Sequence, residues 1–185
     1  MVKKKIKPSF LVKTKRRTAL TDVPQKLGDT KKIVFFLIKF TIIFLVLTII
    51  IENADLSFLT QFIASLVAPV LGLTNTANII GVGGLNFLIT NSCTGLVSAS
   101  ILASVIFALK KPSLLKKAGL FTAGLVLLLI INIPRIMLVL FAAQIGFDSE
   151  LVHEITWFLM SALILIIWYY GTKRILKKEE FSELI

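Results

Sequence analysis

Four long apolar segments constrain this chain more than any other feature of its sequence. An α-helix rises 1.5 Å per residue, so about 20 apolar residues cross the roughly 30 Å hydrocarbon core of a membrane. The segments approach or exceed that length, and the chain as a whole is 56% hydrophobic. We therefore predict an all-α fold, a polytopic membrane helical bundle with four transmembrane helices: Ile33–Ile51, Thr94–Leu109, Ala118–Gln144 and Ile155–Gly171.

The region between the first two predicted helices has a different pattern. Residues 57–73 are apolar on average but contain Gln61 and Pro69. Such a segment suits a re-entrant or interfacial helix, and the sequence leaves open whether it spans, re-enters or lies on the membrane. Residues 74–90 carry three glycines and many β-branched side chains, so we expect an extended segment at the mouth of the bundle.

Lys and Arg are distributed unevenly around the apolar segments. Of the 21, the amino-terminal tail carries eleven, while the loop at 110–117 and the carboxy-terminal tail carry four each; residues 52–92 and 145–154 carry none. Basic loops stay on the cytoplasmic side, so we predict a multi-pass plasma-membrane protein with both termini cytoplasmic. The predicted parts are a basic cytoplasmic tail (1–32), the transmembrane catalytic bundle (33–171) and a charged cytoplasmic tail (172–185).

The net charge of +11 does not indicate nucleic-acid binding. Nearly all of the charge flanks apolar segments, where it sets the orientation of the chain in the membrane, and no nucleic-acid motif is present. We expect contact with membrane lipids and no nucleic-acid partner.

Three side chains stand out among the apolar residues. Cys93 is the single cysteine, at the start of a predicted helix, where free N–H groups and the helix dipole favour the thiolate. His153 is the single histidine, just before the last predicted helix. Arg135 lies within a predicted span, where a charge costs at least ~2.5–3.5 kcal/mol, and Asn132 lies three residues earlier on the same face.

The predicted topology brings these residues to one level, near the extracellular end of the bundle. Together they suit acyl transfer: a Cys93 thiolate attacks a peptide carbonyl, His153 moves the proton, and Arg135 stabilises the negative charge. Each also has a simpler interpretation, because a lone cysteine often only fills space and a lone histidine often lies at the surface.

At these residues the chain resembles the exosortase/archaeosortase family of membrane transpeptidases. The resemblance rests on Cys93-Thr94-Gly95-Leu96 at a helix start, Asn132-Ile133-Pro134-Arg135 inside the next span, and His153 before the following one. It covers roughly residues 57–171. Many members have more helices than the four predicted here, so the resemblance extends to the catalytic core and not to the whole of such a protein.

The resemblance implies a cysteine transpeptidase or protease that acts through a thioacyl intermediate. Its substrates would be membrane-anchored proteins with a carboxy-terminal sorting signal, whose new carboxyl end passes to a lipid or another acceptor. Cys93 would be the nucleophile, His153 the acid/base and Arg135 the oxyanion or thiolate stabiliser. Supporting positions would be Asn132, Thr94 and Gly95. We expect neither a metal nor a cofactor.

Two other functions remain open at this point. In a small channel or transporter subunit, Asn132 and Arg135 would line a polar path and Cys93 would be incidental. A scaffold protein would explain the helices rich in small residues, but not the combination of Cys93, Arg135 and His153.

Overall fold

The computed structural model describes residues 22–176, which form five α-helices and one small sheet. The helices are α1 (Asp22–Asn53), α2 (Ser57–Val70), α3 (Leu96–Ala108), α4 (Leu114–Gln144) and α5 (Ser149–Leu176). Three stretches are long and apolar enough to cross a membrane: Thr30–Asn53, Leu114–Gln144 and Ser149–Arg174. The chain is thus an α-helical bundle of the kind predicted. Residues 1–21 and 177–185 of the predicted tails lie outside the described residues.

The second predicted transmembrane helix is shorter than expected. The sequence predicted a span over Thr94–Leu109, but α3 has 13 residues, about 20 Å of helix, which does not reach across a ~30 Å core. Gly95 delays its start with a left-handed φ of 86°, and the helix ends at Ala108, before the Lys110-Lys111-Pro112 loop. Three of the four predicted spans therefore have the length to cross.

α3 is nevertheless the centre of the bundle. Most of its residues are buried, including the three serines Ser98, Ser100 and Ser104. It packs against α1, α4 and α5, and close contact depends on small residues: a Cβ at Gly124 of α4 would lie 2.4 Å from a methyl of Leu102. A helix that is apolar on all sides is one surrounded by other helices. Its core cluster comprises Ala99, Leu102, Ile106, Leu128, Met160 and Ile164.

α2 confirms the predicted helix within residues 57–73, and its two faces differ. One face is buried against the bundle, with Ile63, Ala64 and Val67 in the core. The opposite face exposes an apolar row at every fourth position: Phe58, Phe62, Leu66 and Val70. At 14 residues, about 21 Å, α2 is too short to span, and the exposed apolar row suits a helix in contact with lipid.

The segment predicted to be extended forms a three-stranded antiparallel sheet in the order β1-β2-β3. The strands are β1 (Thr74–Thr76), β2 (Ile79–Val82) and β3 (Leu85–Leu88). Gly83 and Gly84 both have positive φ, which the tight β2–β3 hairpin requires. Ile80 and Val82 bury one face of the sheet in a cluster with α2 and α4 residues. The all-α prediction thus omitted a small β element.

α5 begins earlier than predicted, which changes the place of His153. The sequence predicted a loop up to Glu154, but the Asp148 carboxylate accepts hydrogen bonds from the backbone N–H groups of Glu150 and Leu151, at 3.0 and 3.1 Å. These bonds cap the helix, so α5 begins at Ser149. His153 therefore lies in the second turn of α5 and not in front of it.

Candidate functional site

Cys93, Arg135 and His153 line one cavity of about 270 Å³. They come from three separate elements: the turn before α3, the middle of α4 and the second turn of α5. The rest of the wall is mainly apolar and comes from β3 and its continuation, α4, and the start of α5: Phe87, Leu88, Ile89, Ile136, Val139, Leu140, Ser149 and Glu150. The structure thus brings together the three residues that the sequence singled out.

Cys93 lies in a single 3₁₀ turn, Asn91–Thr94, and not in the first turn of a spanning helix as predicted. The thiol is partly exposed, and its Sγ is 3.5 Å from Oγ1 of Thr90. Thr94 holds the turn: its hydroxyl donates to the carbonyl of Asn91 at 2.6 Å and accepts the N–H of Leu96 at 3.4 Å. The cysteine therefore lies in a compact turn just before the first residue of α3.

Asn132 connects the cysteine turn to Arg135. Its Nδ2 donates to the carbonyl oxygen of Cys93 at 2.6 Å, and its Oδ1 accepts a hydrogen bond from Nη1 of Arg135 at 3.2 Å. The side chain is 1% exposed, so both bonds are shielded from water. One amide thus fixes the relative position of the cysteine turn and the guanidinium.

Gly95 permits this close approach. A Cβ at this position would lie 3.2 Å from both Cβ and Cγ of Asn132, and the backbone φ of 86° is one that side chains with a Cβ rarely adopt. The glycine therefore serves the turn in two ways, through its backbone angle and through the space it leaves.

We expect Gly95→Ala to destabilise the protein by about 1–3 kcal/mol, because a left-handed φ costs an L-residue roughly 1–2 kcal/mol and the new methyl crowds Asn132. Thermal unfolding in detergent should show a melting temperature several degrees lower. Gly119→Ala is the matched control, since Gly119 is helical and a methyl added there would meet nothing within 4 Å. Equal melting temperatures for the two variants would contradict the proposed role of Gly95.

Arg135 is a buried cation whose guanidinium is held by several polar partners. Nε donates to Oγ1 of Thr156 at 3.2 Å, and Cζ lies 5.4 Å from the ring centre of Trp157. Within residues 22–176, no carboxylate forms an ion pair with it, and Cys93 lines the same cavity. A buried cation without a counter-ion is costly, and an anion in the cavity would offset that cost.

The His153 ring lies between Arg135 and Trp157. The indole N–H of Trp157 donates to Nε2 at 3.1 Å, so Nε2 carries a lone pair and the ring proton of this neutral state is on Nδ1. Nη2 of Arg135 is 3.4 Å from Nδ1 and 3.5 Å from Nε2, so it faces the ring and does not aim at one lone pair. Between the described residues, no hydrogen bond joins the ring to Cys93, and a proton passing between them would cross the cavity.

Three partners were not predicted from the sequence: Thr90, Thr156 and Trp157. Thr156 and Trp157 follow His153 by three and four residues, the spacing that puts helical residues on one face. That spacing became meaningful only once His153 was known to lie inside α5.

A second, more polar cavity of about 440 Å³ adjoins the cysteine turn, and Thr90, Asn91 and Ser92 form part of its wall. Asn91 ties this wall to the end of α1, since its Nδ2 donates to the carbonyl of Ile51 at 3.0 Å. Hydrogen bonds from the side chain and backbone of Ser57 hold the pKa of Asp55, another wall residue, below its usual range. Residues of the cysteine turn thus line both an apolar and a polar cavity.

Comparisons with protein-family models, with curated proteins and with solved structures found no match to this chain. Among the described residues, no group of three His, Cys, Asp or Glu side chains is arranged to hold a metal ion.

Proposed function

We propose that the chain is a membrane-embedded cysteine transpeptidase or protease. It cleaves the carboxy-terminal sorting signal of membrane-anchored surface proteins and transfers the new carboxyl end to a lipid or another acceptor. The observation that carries the proposal is the shared cavity of Cys93, Arg135 and His153, in which a thiol, a buried cation and a neutral imidazole meet in apolar surroundings. The sequence resemblance to exosortases and archaeosortases supplies the substrate class.

The proposed reaction has two stages. The thiol proton of Cys93 passes to Nε2 of His153, which must first release the Trp157 indole N–H, and Sγ attacks the scissile carbonyl. The C–N bond then breaks, the imidazolium returns that proton to the leaving amine, and a thioester remains on Cys93. The acceptor's nucleophile next attacks the thioester, loses its proton to His153 and releases the thiolate. With water in place of the acceptor, the same steps give hydrolysis.

Arg135 is placed to act on both charged species of this reaction. Its fixed donors and Cys93 line the same cavity, in which both the thiolate and the oxyanion would form. Charge stabilisation is strongest where water is excluded and the donors are held in advance, as Asn132 and Thr156 hold this guanidinium.

The same contacts favour an enzyme over a channel. In a polar path, Asn132 and Arg135 would direct free polar atoms toward a passing solute. Here the Asn132 amide is shared between Cys93 and Arg135, and its side chain is almost fully buried. Alkylation of Cys93 separates the two functions, because it would stop a transpeptidase and leave a transporter working.

The active site is proposed to face the extracellular side, with both termini in the cytoplasm, on the strength of the charge asymmetry. A cysteine placed at Ser182 in a Cys93→Ala background should resist a membrane-impermeant thiol reagent in intact cells. Labelling there would contradict this orientation.

The function is tested by co-expressing the chain with a membrane-anchored reporter that ends in a sorting motif, an apolar helix and a basic tail. We expect the wild-type chain to remove the tail and Cys93→Ala to leave the reporter full-length. An uncut reporter with the wild-type chain would count against the proposal.

A further inference from the structure

We propose that the free edge of β3 binds the peptide substrate as an added antiparallel or parallel strand, next to Cys93. This inference rests on the proposed function and names how the substrate backbone is held. Its occupant is an extended segment of the peptide substrate.

The register of the sheet identifies which backbone groups are free. The N–H of Ile89 bonds to the carbonyl of Asn78 at 2.8 Å, so these residues form a hydrogen-bonded pair. Antiparallel pairs alternate along the strands, so Phe87 and Leu85 also direct their backbone groups toward β2. Asn86 and Leu88 must therefore direct their N–H and C=O groups to the opposite side. Within the described part of the chain, β3 is an edge of the sheet and no strand pairs with that side.

This edge belongs to the cavity that holds the candidate catalytic residues. Leu88 lines the same 270 Å³ cavity as Cys93 and His153, and Cys93 follows Leu88 in the chain by five residues. A strand rises about 3.3 Å per residue, so a peptide paired with the end of β3 needs to extend only a few residues to bring a carbonyl to the thiol. The edge and the nucleophile thus form one continuous surface.

An extended peptide is the occupant that fits such an edge. Near a membrane, unpaired backbone groups are costly, and pairing with β3 would satisfy one side of the peptide backbone as well as the free groups of Asn86 and Leu88. Glu150 and Arg135 both line the cavity, so the net charge of the wall is balanced and backbone pairing with the β3 edge selects an extended segment.

Proline substitution tests the edge directly. Leu88→Pro removes one outward N–H without removing a hydrogen bond of the sheet, and proline is tolerated on edge strands. Loss of one hydrogen bond and of close strand approach should lower kcat/KM for the reporter about tenfold, mainly through KM. By the same alternation, Asn75 of β1 directs its N–H away from β2 on the far edge, so Asn75→Pro is the matched control and should process the reporter at the wild-type rate.

Leu88→Ala distinguishes the contribution of the backbone N–H from that of the side chain, because it removes most of the side chain and keeps the N–H. We expect it to lose less activity than Leu88→Pro, and an equal loss would overturn strand pairing. Equal rates for Leu88→Pro and wild type would overturn the inference alone, while a reporter left uncut by wild type would overturn the proposed function as well.

A crosslinking measurement covers the case in which Leu88→Pro fails to fold. In the Cys93→Ala protein, benzoylphenylalanine at Leu88 should crosslink to the co-expressed reporter on illumination, and the same probe at Asn75 should not. Absence of a crosslink from Leu88, with a reporter that wild type cuts, would overturn the inference.

Discussion

Cys93→Ser is expected to abolish removal of the reporter tail while leaving the fold intact. Serine is nearly isosteric with cysteine, and the turn around Cys93 is held by Thr94 and Asn132, whose bonds do not use the thiol. The chemistry should fail because an alcohol has a much higher pKa than a thiol and needs a directly bonded base. Here the nearest polar contact of Sγ is the Thr90 hydroxyl, not the imidazole.

Tail removal in cells and thermal unfolding of the purified protein measure the two halves of this prediction. The melting temperature should stay within a few degrees of wild type, and the processing rate should fall below detection. If Cys93→Ser processed the reporter at the wild-type rate, Cys93 would not be the nucleophile and the transporter interpretation would return.

Arg135→Lys should reduce processing by roughly 10²–10³-fold, the range for loss of one oxyanion donor. Lysine keeps the positive charge but has a single nitrogen in place of the planar fork. In the structure, the fork makes three separate contacts, from Nε to Thr156, from Nη1 to Asn132 and from Nη2 to the His153 ring. One ammonium group cannot reproduce these contacts and also face an oxyanion.

Arg174→Lys is the matched control, because it makes the same chemical change on an exposed position near the other end of α5, far along the helix from His153. The comparison is made as kcat and KM for the reporter, with a fall mainly in kcat expected for Arg135→Lys. Substantial activity in that variant would mean that Arg135 supplies only charge, without directed hydrogen bonds.

Helix boundaries show where local signals were sufficient and where they were missed. Asp is a favoured residue at the start of a helix, and the two hydrogen bonds that Asp148 accepts explain why α5 begins early. The sequence therefore contained the signal that would have placed the start of α5 correctly. The late start of α3 could not have been predicted from a local signal. Gly95 follows Cys93 by two residues, but only its contact with Asn132 of α4 shows why the chain turns there before the helix begins.

The sheet illustrates a different limit. Glycines and β-branched residues indicated an extended segment, and the Gly83-Gly84 pair is a typical hairpin signal. The free edge of β3 and its place beside Cys93 follow from the packing of Ile80 and Val82 on α2 and α4, which are distant in sequence.

The lengths and composition of the apolar segments were enough to predict a helical membrane protein, because both are local properties of the chain that decide whether a helix can cross a membrane. The sequence also identified Arg135, because a charge inside an apolar segment is costly. Cys93 and His153 stood out because each is the single residue of its type and lies near the start of a predicted helix. The tertiary structure alone decided that the three share one cavity, that Asn132 joins Cys93 to Arg135, and that Trp157 sets the tautomer of His153. These are contacts between separate elements, and their geometry depends on how the helices pack, which no local pattern specifies.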